Sequence, residues 1–206
     1  MTPKQDLLTF WKQSRLITNS RLLEAFETIK RERFVPDAYK DLSYEDAALP
    51  LGHDATISQP TTIMIMLQAL DLQPGNNVLE IGTGSGYTAA LTARLIHPRG
   101  TVHSLEIVQE LVERARENLE KEGITNARLY CKNGKEGFKE QAPFDRIIVH
   151  AACRKTPKIP LDQLKPDGIL VAPIGPALYQ QMIKFTKYNN GIVEEYLGEF
   201  IFVPLH

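Results

Sequence analysis

The chain is poor in cysteine, in tryptophan and in excess charge. Its 206 residues include two cysteines and one tryptophan, and 24 basic against 25 acidic side chains give a formal net charge of −1. Cys131 and Cys153 are too few for a disulfide framework and lack the paired spacing of a zinc site. The balanced charge lacks the strongly basic footprint of a nucleic-acid-binding protein. We therefore expect reduced thiols, no metal site and no nucleic-acid partner.

Long apolar runs are also missing. No window approaches the roughly 20 apolar residues that a membrane-spanning helix needs, and the polar start Met1-Thr2-Pro3 is unlike a secretion signal. Hydrophobic residues make up 43% of the chain, which is enough for a full core and excludes disorder. The sequence predicts a globular cytoplasmic protein without a membrane segment.

The N-terminal part shows helical periodicity. Apolar residues recur every three or four positions from Asp6 to Lys30, which predicts one broken helix or two short ones. Phe34-Val35-Pro36 ends this pattern, and residues 39–50, without a clear period, are predicted as a loop. A helix is predicted from Pro60 to Leu72, with the proline near its start. We expect one compact domain made of two parts, an N-terminal helical extension with a loop (1–59) and a core (60–206).

Strands and helices alternate after the Pro74-Gly75 turn. This alternation predicts an α/β fold with a doubly wound, mostly parallel sheet covered by helices on both faces. Asn189-Asn190-Gly191 separates two strand-like runs and predicts a closing antiparallel hairpin. The predicted strands of the parallel part are 78–81, 101–105, 127–131, 146–149 and 169–173, and the predicted helices are 87–96 and 108–122.

A glycine-rich turn joins the first of these strands to its helix, in the segment Glu80-Ile81-Gly82-Thr83-Gly84-Ser85-Gly86-Tyr87. Alternate glycines permit a tight turn and a close approach to a ligand, but the spacing differs from the dinucleotide fingerprint and from a P-loop. Glu106 stands 20 residues after Gly86, at the end of the next strand, where a carboxylate can accept both hydroxyls of a ribose. The combination predicts an adenosine site without a pyrophosphate. The alternative is a plain turn, with Glu106 capping the next helix.

Three further segments are similar to the protein-L-isoaspartate (D-aspartate) O-methyltransferase family. They are Thr56-Ile57-Ser58-Gln59-Pro60, Arg33-Phe34-Val35-Pro36 and Phe202-Val203-Pro204-Leu205, while the glycine segment and residues 164–170 resemble motifs of class I S-adenosylmethionine methyltransferases. The resemblance spans residues 31–205. It implies a Rossmann-like methyltransferase fold, S-adenosylmethionine as the cofactor, and damaged proteins or peptides bearing isoaspartyl residues as partners, whose free carboxylate is esterified as the start of protein repair. We expect the enzyme to be a monomer.

The resemblance also implies roles for individual residues. An ionised carboxylate needs no general base, so Ser58, the implied active-site residue, would orient the acceptor by hydrogen bonds. From the pattern alone, Ser58 could instead cap the following helix, Asn133 could be a turn residue, and His53 and His150 could be structural or solvated rather than basic catalysts. The implied cofactor-binding residues are Glu80, Gly82, Thr83, Gly84, Ser85, Gly86, Glu106, Asn133 and Gly134, and the implied substrate-binding residues are Thr56, Ile57, Ser58 and Gln59.

The chain departs from the family pattern at two places. Asp54-Ala55 stands where the family usually has Gly-Gln, and Lys132-Asn133-Gly134 replaces Gly-Asp-Gly. An asparagine can still bond an adenine amino group through its carbonyl oxygen. Two other functions therefore remain open: a related methyltransferase with a different acceptor, and a regulatory protein that binds the donor without catalysis.

Overall fold

The computed structural model describes residues 2–176 and 178–205. Its helices are α1 (Pro3–Gln13), α2 (Ser20–Thr28), α3 (Pro60–Leu70), α4 (Tyr87–Ile96), α5 (Gln109–Lys121) and α6 (Lys158–Asp162). Its strands are β1 (Leu49–Gly52), β2 (Ala55–Ile57), β3 (Asn77–Ile81), β4 (Thr101–Glu106), β5 (Ala127–Cys131), β6 (Phe144–Val149), β7 (Leu164–Ile174), β8 (Gln180–Tyr188) and β9 (Gly191–Phe200). Short 3-10 helices cover Arg31–Arg33, Asp37–Leu42, Gly134–Glu136 and Lys139–Gln141.

Seven strands form the main sheet in the order β5-β4-β3-β6-β7-β8-β9. The strands from β3 to β7 pair in parallel, and β8 and β9 pair antiparallel. The chain builds outward from β3 through β4 to β5, then returns to place β6 on the other side of β3. This reversal opens a crevice at the carboxyl ends of β3 and β6, the usual ligand position in such sheets. The predicted α/β fold, with its closing hairpin, is confirmed.

The two faces of the sheet are covered differently. On one face, α3 packs on β6 and β7, α4 packs on β4, and α5 packs on β4 and β5. The other face carries only the five-residue helix α6 and the short turns between β5 and β6, within the described residues. The prediction of helices on both faces is thus only partly right. Gly134, Gly137 and Pro143 interrupt the β5–β6 connection, so it forms turns instead of a long helix.

The predicted loop over residues 39–50 is wrong at both ends. Part of it lies in the 3-10 helix Asp37–Leu42, and its last residues begin β1, which pairs antiparallel with β2. His53 and Asp54 form the turn between these strands with φ of 54° and 56°, the left-handed pair that a tight hairpin requires. Such short strands carry too few residues to show a period, and His-Asp is not a common hairpin signal.

The N-terminal extension consists of two helices that pack against the core. Trp11 of α1 is fully buried, its ring lies 4.7 Å from that of Phe26, and its indole N–H donates to the Thr61 hydroxyl at 2.8 Å. Residues of α1 and α2 belong to the same apolar cluster as those of α3 and α4. A boundary at residue 59 stays a prediction, and both sides of it contribute to one core. No helix of the described chain is long and apolar enough to cross a membrane.

Trp11→Ala should lower the free energy of unfolding by about 3–5 kcal/mol, because it leaves a cavity between the extension and the core. Phe10→Ala, on the exposed side of the same helix, should cost within about 0.5 kcal/mol. Urea unfolding followed by circular dichroism measures both. Two separate transitions in the wild type would contradict a shared core.

Candidate functional site

The glycine-rich turn stands at the carboxyl end of β3 and leads into α4. Gly82, Gly84 and Gly86 have φ of +94°, +53° and +84°, the region that favours glycine. A Cβ added to Gly82 would lie 3.3 Å from the Cβ of His150, and one on Gly86 would lie 3.2 Å from that of Ala115 in α5. Gly82 therefore permits close contact inside the crevice, whereas Gly86 permits close packing of α4 on α5.

Buried polar groups support this turn from below. The Ser104 hydroxyl donates to Glu80 Oε2 at 2.5 Å and lies 2.6 Å from the Thr83 hydroxyl. The Asn118 side chain donates to the backbone oxygen of Ser85 at 3.0 Å. Glu80, Thr83 and Ser85 are all nearly inaccessible. None of these three predicted cofactor residues lines the crevice beside the turn, and their hydrogen bonds hold the shape of the turn.

Glu106 holds the turn from the neighbouring strand. Its Oε2 accepts the Gly84 N–H at 2.9 Å, and its Oε1 accepts the N–H groups of Ile107 and Val108 at 2.8 and 3.2 Å. A carboxylate offers about four acceptor positions, so three are in use before any ligand binds. Of the two ribose hydroxyls expected to bind Glu106, only one would therefore find an unoccupied acceptor position. The sequence left two roles open for Glu106, a ligand contact and a cap of the next helix. The structure is compatible with both, because Glu106 lines the crevice and also bonds the residues just before α5.

We name the crevice beside this turn the glycine-turn cavity. Four of the predicted cofactor residues line it, namely Gly82, Gly84, Glu106 and Gly134. The rest of its wall comes from the β1–β2 hairpin, the ends of β3, β4, β5 and β6, and the C-terminal segment. These further lining residues are His53, Asp54, Ala55, Thr56, Ile81, Leu105, Ile107, Val108, Lys132, His150, Ala151, Val203, Pro204 and Leu205.

Asn133 and Gly134 are neighbours in the sequence, but the structure places them in different surroundings. A Cβ on Gly134 would lie 2.2 Å from Ile81 Cγ2, so only glycine fits there. The Asn133 side chain instead accepts the Lys135 N–H at 2.9 Å and lines a separate surface depression. Asn133 thus stabilises its own turn, as the alternative from the sequence predicts. Its contact with the adenine stays a prediction. Lys132, which sequence reasoning did not assign, lines the glycine-turn cavity.

A second cavity lies beside Ser58, and we name it the Ser58 cavity. Of the predicted substrate residues, Thr56, Ser58 and Gln59 line it, while Ile57 is buried in the core. The N-cap of α3 is Gln59 and not Ser58, so the capping alternative is wrong. The Ser58 hydroxyl bonds none of the described residues and is free to meet a ligand. The other lining residues are Ala48, Thr62, His150, Glu199, Phe200, Ile201, Phe202 and Val203.

A buried arginine fixes the Ser58 loop from behind. Arg31 is fully buried, donating from Nη2 to the Ser58 backbone oxygen at 2.9 Å and from Nε to that of Ser43 at 2.7 Å. Its guanidinium carbon also lies 5.2 Å from the centre of the Tyr87 ring. Burial lowers the pKa of Arg31 to about 10, which leaves it charged at neutral pH. The 3-10 turn at Arg31 thereby links the extension to the loop.

The two cavities adjoin, because Thr56, His150 and Val203 line both. The C-terminal segment closes this junction: the Ala152 N–H donates to the Val203 oxygen at 2.7 Å, and the Leu205 N–H to the Ala152 oxygen at 3.0 Å. The sequence resemblance included residues 202–205 but gave them no part in the site. In the described part of the chain, no three His, Cys, Asp or Glu side chains group as metal ligands.

Comparison with known proteins gives a consistent family. The profile of the protein-L-isoaspartate (D-aspartate) O-methyltransferase family matches residues 2–206. A protein-L-isoaspartate O-methyltransferase of Aeropyrum pernix is 44% identical over 94% of this chain and 75% of that relative. One of Methanothrix thermoacetophila is 42% identical over 93% of this chain and 90% of that relative.

A solved structure agrees with these relatives. It is described as a protein-L-isoaspartate O-methyltransferase of Plasmodium falciparum in complex with S-adenosyl-L-homocysteine, and it superposes with a TM-score of 0.88. It is 27% identical and covers 100% of this chain and 99% of its own. The matched family profile and the two close relatives, together with the shared fold, show that this chain belongs to the protein-L-isoaspartate (D-aspartate) O-methyltransferase family.

Proposed function

We propose that this chain transfers a methyl group from S-adenosylmethionine to the free carboxylate of isoaspartyl residues in damaged proteins or peptides. The observation that carries the proposal is the pair of adjoining cavities, one beside a glycine turn and one beside a free serine hydroxyl, in a member of this family. A donor and an acceptor held in the two cavities would meet where Thr56, His150 and Val203 line both.

The glycine-turn cavity suits S-adenosylmethionine. Gly82 and Gly84 present backbone without side chains, and Glu106 keeps one acceptor position for a ribose hydroxyl. Glu80 Oε1 is buried beneath the turn without a hydrogen bond among the described residues. When bound, S-adenosylmethionine would supply a methyl group attached to a positively charged sulfur. A carboxylate oxygen would bond to the methyl carbon, and the electron pair of the broken carbon–sulfur bond would return to the sulfur.

The Ser58 cavity suits an acceptor that is already a nucleophile. A carboxylate with a pKa near 4 is ionised at neutral pH and needs no proton removed. The residues must then orient it, which is the part of catalysis that positioning supplies. We propose that the Ser58 hydroxyl donates to the acceptor carboxylate or its adjoining backbone, on a loop that Arg31 holds in place.

The setting of the reaction belongs to the same proposal. We infer a monomeric cytoplasmic enzyme whose partners are proteins, without nucleic acid. Cys131 and Cys153 are both free thiols, which agrees with a reducing compartment. The formal net charge of −1 supports a protein substrate over a polyanion.

Transfer of a labelled methyl group tests the function directly. With S-adenosylmethionine as donor, we expect base-labile label on a peptide containing isoaspartate and none on the matched peptide containing normal aspartate. Equal labelling of both peptides, or label that resists base, would point to a different acceptor. Donor binding by calorimetry with no transfer to either peptide would favour a non-catalytic binding protein.

Glu106→Ala should weaken donor binding by about 2–3 kcal/mol, the range for hydrogen bonds to a charged group. Glu110→Ala is the matched control, because Glu110 is an exposed carboxylate in the first turn of α5. Calorimetric titration with S-adenosylhomocysteine measures both variants. Unchanged affinity in a folded Glu106→Ala protein would remove this residue from the donor site.

Ser58→Ala should lower kcat about tenfold while donor affinity stays unchanged, because it removes one hydrogen bond to a charged acceptor. The loop should keep its place, since Arg31 bonds the backbone oxygen of Ser58. Ser20→Ala, at an exposed serine of α2, serves as the control. Steady-state kinetics with the isoaspartyl peptide measures the change, and a loss of stability alone would argue against a role in orientation.

A further inference from the structure

Two buried polar atoms lack hydrogen bonds, one on a residue that lines both cavities and one on the residue behind it. They are Glu80 Oε1 and His150 Nε2, and they lie 3.4 Å apart. The Glu80 side chain is 1% exposed and that of His150 is 8% exposed. A buried carboxylate is costly unless an opposite charge faces it. Among the described residues, His150 is the basic side chain that lies within 4.0 Å of Glu80.

The fold holds His150 where the donor and the acceptor would meet. It directly follows β6, and its N–H donates to the Ile81 oxygen at 2.8 Å, at the carboxyl end of β3. Gly82 permits this approach, because a Cβ there would lie 3.3 Å from the His150 Cβ. The imidazole lines both cavities, and its Nδ1 is hydrogen bonded to none of the described residues.

His150 is the basic side chain that lines the Ser58 cavity. The other titratable side chain of its lining is the carboxylate Glu199, exposed on β9. Arg31 lies behind the loop and donates to backbone oxygens. The remaining titratable groups line the glycine-turn cavity and not the Ser58 cavity, and they are His53, Asp54, Glu106 and Lys132.

We propose that His150 binds the acceptor carboxylate: the ring rests on Glu80 through Nε2 and donates from Nδ1 to the carboxylate held beside Ser58. This inference rests on the proposed function and names a binding residue for its acceptor. A ring that donates from Nδ1 while its Nε2 faces a carboxyl oxygen at 3.4 Å carries both protons. Because methylation removes the negative charge of the carboxylate, the attraction to His150 ends with the reaction, which favours release of the ester.

Binding of an isoaspartyl peptide to the protein saturated with S-adenosylhomocysteine tests this role apart from turnover. At about pH 6, His150→Ala should weaken peptide binding roughly 10- to 100-fold, the cost of one charge-assisted hydrogen bond. Affinity for S-adenosylhomocysteine should stay within about twofold of the wild type. Isothermal calorimetry measures both, and steady-state kinetics should show the loss in KM for the peptide more than in kcat.

A pH series separates a charged ring from a purely structural one. Wild-type affinity for the peptide should fall as the pH rises through the range in which histidine side chains ordinarily lose their proton, about pH 5 to 8, and the affinity of His150→Ala should stay flat. His150→Gln preserves a polar side chain of similar reach, and it should give intermediate affinity without the pH dependence. His97→Gln is the matched control, because His97 is exposed at the end of α4 and lines neither cavity.

The possible results separate the role of His150 from the proposed methyl transfer. Variants at His150 that bind the peptide like the wild type, or that lose S-adenosylhomocysteine affinity instead, would overturn the acceptor role while wild-type methyl transfer still stands. A pH dependence that survives in His150→Ala would do the same. A wild type that neither binds nor methylates the isoaspartyl peptide would remove both the inference and the proposed function.

Discussion

The carboxylate of Glu106 sets the geometry on which the site depends. By accepting N–H groups from Gly84, Ile107 and Val108, it joins the turn after β3 to the segment after β4 at the carboxyl edge of the sheet. That link adds to the hydrogen bonds of Ser104 and Asn118 in restraining a turn of positive-φ glycines, which is costly to order because glycine loses the most conformational freedom on ordering. The same carboxylate faces the cavity, so the group that orders the turn is also available to a ligand.

The second half of the site depends on a charge buried in the N-terminal part. Arg31 gives its guanidinium N–H groups to the backbone oxygens of Ser43 and Ser58, so a cation holds two loop segments that have no regular structure of their own. Burying such a group is costly unless its donors are bonded; here Nε and Nη2 are bonded, while Nη1 is buried without a hydrogen bond among the described residues. The Ser58 loop is thus fixed through its backbone, which leaves the hydroxyl free for an acceptor. The extension contributes to the site in this way as well as to the core.

Sequence reasoning succeeded where a local pattern is set by burial. The glycine turn, α4 with its predicted ends at Tyr87 and Ile96, and the β8–β9 hairpin all follow from periodicity or turn chemistry. It left open the positions of side chains that depend on contacts distant in sequence. Nothing local distinguishes Asn133 bonding its own turn from Asn133 facing a ligand, and only the return of β6 beside β3 brings His150 to the crevice. The β1–β2 hairpin was missed because three or four residues show no period.

The chemistry of the acceptor explains why the site can be so poor in proton-transfer groups. A carboxylate reaches the site as a nucleophile, so the protein gains more from placing charge than from moving protons. Two positive charges would compete there, that of the donor sulfur and that of a protonated His150. Glu80 resolves the competition, because its buried carboxylate lies beneath the turn on one side and 3.4 Å from His150 on the other. The acceptor carboxylate and the carboxyl group of Glu80 are the acidic groups that face these two positive charges. Methyl transfer then removes one charge of each sign, and the balance is kept.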